Sequence, residues 1–156
     1  MSIQKSVLGA LSALVLTFGT AYIGSRFPVD NWYTGLVKPS WNPPNWLFGP
    51  VWSVLYLLMA ISVWLVWMKE GLAGAVVPLV IFLLQLVLNA GWSWLFFGKH
   101  EMGIAFLEIL ILWAAILACI IVFWNLNPIS GMLLVPYILW VTFAAVLNYT
   151  LWQLNT

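Results

Sequence analysis

Charge is what this sequence has least of. Five basic and four acidic side chains make only 6% of the 156 residues charged, with a formal net charge of +1. A soluble domain covers its surface with roughly a quarter charged residues, and this chain has too few to do so. Nucleic-acid binding needs clustered Lys and Arg, which are absent. A single cysteine, Cys119, lies in an apolar run and allows neither an intrachain disulfide nor a multi-cysteine metal site. There is one histidine, His100, and no His, Asp or Glu group at metal-ligand spacing, so no metal is expected. Phosphate-binding glycine loops and nucleophile elbows are also missing. No residue pattern sets a general acid and base around a nucleophile, so a hydrolase or transferase is not expected.

What the chain has instead is apolar surface and tryptophan. Hydrophobic residues make up 65% and tryptophans number 12, with a mean hydropathy of +1.07. A bilayer crossing needs about 20 apolar residues at a rise of about 1.5 Å each. Five such stretches occur, over residues 7–25, 48–68, 73–97, 102–124 and 130–152, and the expected fold is an all-α, five-helix transmembrane bundle in one domain spanning 1–156. Long runs without alternation argue against a membrane β-barrel. Pro50 and Pro78 fall near helix starts, Asn127-Pro128 reads as a turn before an N-cap at Ser130, and Pro136 inside the fifth span predicts a kink. The first span follows Lys5 as a signal peptide would, but its length and lack of a clear cleavage site predict that it is retained. Positive-inside counting gives three basic residues to two in favour of a cytoplasmic C-terminus.

The unusual segment is residues 26–47, RFPVDNWYTGLVKPSWNPPNWL. Pro28, Pro39, Pro43 and Pro44 restrict the backbone, so ordering it costs less entropy than ordering a Gly/Ser linker. Trp32, Tyr33, Trp41 and Trp46 give it broad aromatic surface. Two readings are open: a folded lid with rings pointing into the bundle, or an interfacial segment anchored at headgroup level.

Within the spans, Gln85, Asn89, Trp92 and Phe96 share one helical face, and amides at membrane depth direct that face into the bundle. Trp52 with Tyr56, and Trp140 with Ala144, are each one turn apart and suit a flat wall beside a recess. Trp94, Trp124 and Trp152 lie near span ends, where interfacial anchoring accounts for them. Trp64, Trp67 and Trp113 lack polar company and read as anchors or packing residues. Glu108 is the one acid well inside a span, expected to be neutral and hydrogen-bonded or within reach of interfacial water. Gly9 with Ala13, and Ala114 with Ala118, permit close helix approach. By elimination, the function is binding, transport or sensing of an apolar or flat aromatic molecule.

The block WYTGLVKPSWNPPNWLFGPVWSVLYLLMA (32–60) resembles the signature of the tryptophan-rich sensory protein family, whose eukaryotic relatives are the translocator proteins, or peripheral-type benzodiazepine receptors. The resemblance continues in QLVLNAGWSWLFF (85–97) and PYILWVTFAAVLNY (136–149). It implies a homodimeric bundle in the bilayer, here of the bacterial cell membrane, with the 26–47 loop over a cavity. The implied ligands are porphyrins such as protoporphyrin IX, together with isoquinoline- and benzodiazepine-type molecules. The implied ligand-binding residues are Trp32, Pro43, Trp52, Tyr56, Asn89, Trp92, Trp140 and Ala144, and the implied role is sensing or regulation, with porphyrin transport as the alternative. Light-dependent porphyrin degradation, also proposed for the family, would place Trp52 and Trp140 beside the macrocycle. One departure is plain: the sterol-binding pattern of animal members needs a basic residue after Tyr149, and TLWQLNT supplies none.

Overall fold

The computed structural model describes residues 2–156. Five helical segments are long and apolar enough to cross a membrane: Ile3–Ser25, Asn45–Gly74, Val76–Gly98, Met102–Leu126 and Pro128–Leu154. In chain order, the elements are α1 (Ile3–Ser25), a short α2 in the first loop (Asn31–Gly35), α3 (Asn45–Gly74) and α4 (Val76–Ser93), which runs into a π-helical turn at Trp94–Gly98. After these come α5 (Met102–Leu126), α6 (Pro128–Leu133) and α7 (Val135–Leu154). Tight connections make the long helices antiparallel neighbours. Around the bundle α1 packs on α3 and α4, α4 on α5, and α5 on α6 and α7, while α6 closes the ring against α3.

Local chemistry explains where these helices start and stop. Helix α3 begins at Asn45, three residues earlier than expected, so Pro50 lies a turn inside it instead of at its start. Its far end breaks at Gly71, whose φ of +67° and ψ of 179° suit glycine and strain any residue with a Cβ. Pro136 marks a full break and not a kink: the fifth span divides at Leu134, and Pro136 sits in the first turn of α7, where its missing N–H leaves no carbonyl unpaired. The N-cap of α6 is Asn127, which accepts from the Ile129 N–H (3.1 Å). Ser130, expected to be that cap, is instead buried inside α6, where its carbonyl accepts from the Ser62 hydroxyl (2.7 Å).

Packing also reassigns several side chains. Gly9 faces α3, where a Cβ would stand 3.3 Å from the Trp67 ring. That small-residue face is therefore used within the chain, whereas Ala114 and Ala118 are exposed. Trp64 and Trp113 do have polar partners: their indole N–H groups donate to the Ser6 carbonyl (3.0 Å) and the Thr142 hydroxyl (2.9 Å). Trp152 lies flat against Gly103, with ring atoms 3.0–3.1 Å from where a Cβ would be, so it packs α7 onto α5. Among the described residues, both carboxyl oxygens of Glu108 are buried without a hydrogen-bond partner, beside Gly91 on α4, so the expected hydrogen bond is not made.

Gly131 sets the approach of α6 to the end of α5, because a Cβ there would lie 2.8 Å from Trp124 Cβ and 2.9 Å from its Cα. Backbone cannot rotate away, so Gly131→Ala is expected to destabilise the bundle by about 1–3 kcal/mol. Thermal unfolding in detergent checks this. Gly19→Ala, where a Cβ meets nothing within 4 Å, should leave the midpoint unchanged or slightly raised.

Candidate functional site

A cavity of about 510 Å³ occupies the end of the bundle beneath the first loop, within the range of about 300–1,000 Å³ common for small-molecule and cofactor sites. Helix α1 supplies Phe18, Ala21 and Gly24; α3 supplies Phe48, Trp52 and Tyr56; α4 and its π-helical turn supply Asn89, Trp92, Phe96 and Phe97. Trp140, Phe143, Ala144 and Leu147 come from α7, and Phe27, Pro28, Val29 and Tyr33 from the loop. Eleven of the lining residues are aromatic, so the walls are flat and offer ring faces more than hydrogen bonds.

The floor is a chain of side-chain hydrogen bonds. Tyr56 donates to Asn89 Oδ1 (2.6 Å), Asn89 Nδ2 donates to the Tyr137 oxygen (2.8 Å), and Tyr137 donates to Gln85 Oε1 (2.8 Å). All four side chains are buried. The chain joins α3, α4 and α7, and each link satisfies a group that lipid could not. Asn89 thus spends one donor and one acceptor within the protein, and Gln85, on the same helical face, lies below the lining. A second relay orients a wall: the Trp92 indole N–H donates to Asn148 Oδ1 (2.9 Å), and Asn148 Nδ2 donates to the Met102 carbonyl (2.9 Å). Trp92 is also stacked on Phe96 (5.1 Å, 22°).

Trp52 and Trp140 differ from Trp92. Trp52 leans on Tyr56 (5.5 Å) and meets Tyr137 edge-on (6.2 Å), and Trp140 meets Phe48 edge-on (6.0 Å) and Phe143 at 5.4 Å. Neither indole N–H bonds within the described residues, and both rings line the cavity.

The loop is a built element. Asp30 caps α2 by accepting from the Tyr33 N–H (3.0 Å). That bond, more than the neighbouring His100, holds its carboxyl below the usual value of 3.8. The Lys38 ammonium donates to the carbonyls of Tyr33 (2.6 Å), Thr34 (3.2 Å) and Leu36 (3.1 Å), closing the other end of α2. Tyr33 points inward and is 2% exposed, and burial raises its phenol above the ordinary value. Two ties hold the loop down. Asn155 exchanges a pair of hydrogen bonds with the backbone of Val37 (both 2.9 Å), and His100 Nε2 meets Asp30 Oδ2 (3.0 Å). Trp46 and Trp41, by contrast, face outward, 72% and 44% exposed. The loop thus directs Tyr33 into the bundle and leaves Trp46 and Trp41 on its outer side.

Of the eight positions singled out in the sequence, Trp52, Tyr56, Asn89, Trp92, Trp140 and Ala144 converge on the cavity. Trp32 and Pro43 do not line it. Trp32 turns to the rim, edge-on to Phe96 (5.7 Å) and stacked on His100 (4.1 Å, 14°). Pro43 is half-buried in the loop, its carbonyl accepting from Asn42 Nδ2 (3.0 Å). Sequence reasoning missed the α1 wall entirely. Its signal, Phe18 followed by Ala21 and Gly24, lies beside the buried Thr17 and Thr20, whose hydroxyls bond carbonyls of their own helix and so need no partner on another.

Fold and site together define a class: a five-helix integral membrane protein with an aromatic cavity at one end, roofed by the loop after its first span. The TspO/MBR family is matched over residues 10–153, and the chain belongs to that family. It is 42% identical over 136 residues to Protein CrtK of Rhodobacter capsulatus, covering 85% of this chain and 83% of that one. It is 41% identical over 139 residues to the human Translocator protein (86% and 82%). It is 39% identical over 159 residues to the Tryptophan-rich protein TspO of Chlorobaculum tepidum (97% and 99%).

The floor is testable without a ligand. Tyr137→Phe removes both its bonds and leaves Asn89 Nδ2 and Gln85 Oε1 each short of a partner, which should cost about 1–2 kcal/mol. Tyr56→Phe breaks a single link and should cost less. Thermal unfolding of the two variants in one detergent gives the comparison.

Proposed function

We propose that this protein binds flat, largely apolar macrocycles of the tetrapyrrole class, protoporphyrin IX among them, and acts as a membrane sensor or regulator of such molecules. The observation that carries this reading is a cavity whose opposite walls are indole faces, Trp52, Trp92 and Trp140, and whose polar atoms are almost all committed to one another. Such a site rewards ring area and contact with aromatic faces. The uncommitted N–H groups of Trp52 and Trp140 are the donors left for the few polar atoms of a ligand. Smaller isoquinoline- and benzodiazepine-type molecules fit the same chemistry and would compete.

Titration of the protein in nanodiscs with protoporphyrin IX is expected to quench tryptophan fluorescence saturably. Trp140→Ala removes a wall and should weaken binding about tenfold or more, as loss of a buried aromatic anchor does at other interfaces. Unchanged fluorescence on titration, or unchanged affinity in the variant, would overturn this site assignment. Transport is separated by proteoliposomes loaded with porphyrin: the binding reading expects no flux above that of empty vesicles, and protein-dependent flux would favour the transport reading.

A further inference from the structure

The tie between His100 and Asp30 has features that simple lid packing does not require. Asp30 divides its carboxylate between two tasks: one oxygen takes the Tyr33 N–H and starts α2, and the other takes His100 Nε2 (3.0 Å). The same imidazole lies parallel to the Trp32 ring at 4.1 Å. His100 thus reaches two lid residues, Asp30 and Trp32, from the short connection between the π-helical turn and α5. Its backbone is in the left-handed region, with φ of +59°, an uncommon conformation for a residue with a side chain. Both side chains remain partly open to solvent, 38% for His100 and 39% for Asp30, so protons exchange freely with them.

We infer that His100 is a proton-operated latch on the lid, holding it closed more tightly when the imidazole is charged and letting bound ligand leave faster when it is neutral. The sign follows from the partners. A protonated imidazole gives Asp30 a charge-assisted hydrogen bond and places a cation over the Trp32 face. The neutral ring keeps at most an ordinary N–H bond. Among the described residues, the surroundings leave Asp30 as the only ionic partner. Lys38 is engaged with carbonyls of α2, and the Lys99 ammonium sits over Trp94 (5.4 Å). Glu101 and Arg26, the other charged groups of this end, make no ion pair among the described residues. Histidine titrates near neutrality, at about pH 6.5 in model peptides. Asp30 loses its charge only as pH falls below its ordinary value of 3.8, so the carboxylate side of the latch fails only in strong acid.

This inference rests on the ligand reading above for its consequence, but not for its test. Hydrogen exchange over residues 30–37, without ligand, compares wild type with His100→Asn. Asparagine tolerates the left-handed backbone and does not titrate. At about pH 6, on the acid side of the imidazole range, the variant is expected to exchange faster by about three- to tenfold, the worth of an exposed ion pair plus a cation–π contact. At about pH 8 the difference should shrink. Equal exchange at the lower pH overturns the latch. Protoporphyrin IX dissociation into excess empty phosphatidylcholine vesicles should accelerate by a similar factor between those two pH values in wild type and stay at the fast limit in His100→Asn. Asp30→Asn, which keeps a good N-cap for α2 but no charge, should respond less than about twofold. A flat wild-type rate, or a pH response retained in both variants, also overturns the proposal. If porphyrin is not held at all while exchange behaves as stated, the latch stands and the ligand reading falls.

Discussion

A side-chain amide or hydroxyl inside a lipid-embedded bundle has no water to turn to, and the Tyr56–Asn89–Tyr137–Gln85 chain is this protein's answer to that constraint. Because each group is satisfied by a residue on another helix, the chain fixes the distances between α3, α4 and α7 at one depth. Apolar packing alone would hold them less specifically, since lipid tails solvate leucine as well as another helix does. The cavity exists above this layer because the layer holds the helices in register. The walls depend on it too: Tyr56 and Tyr137 back Trp52.

The roof follows a different rule. It lies where water is available, so it is held by caps and ties and not by a buried core of its own. Asp30 and Lys38 close the two ends of α2, four prolines stiffen the segment, and Asn155 and His100 fasten it to the C-terminal helix and to the α4–α5 connection. Exposed polar ties are worth little singly, so the roof is fastened less firmly than the floor.

The tryptophans follow the same division. Trp52, Trp92 and Trp140 present faces to the cavity, Trp32 serves the latch, and Trp64, Trp67, Trp113 and Trp152 join helices. Trp41 and Trp46 face outward from the loop. A ring with one polar atom suits all of these uses, so abundance alone does not distinguish them.

The sequence by itself determined the membrane, the five spans and the face of α4 that carries Asn89 and Trp92, because apolar length and helical period are properties of consecutive residues. It also marked the proline-rich loop as more than a linker. Other features were decided only by tertiary structure. Whether Trp32 turns inward or onto His100 depends on a residue 68 positions away, and Trp64 finds its acceptor on another helix. The polar residues beside the α1 wall, Thr17 and Thr20, bond carbonyls of their own helix and so announce no partner, and an apolar face meets lipid or cavity according to what packs opposite it. Pro136 could announce a disturbance in the fifth span, but not that the chain would divide there, with α6 on α3 and α7 drawn to α5. Periodicity says which residues share a face; the partner of that face is fixed by how five helices fill one volume while leaving no polar atom of the floor without a bond.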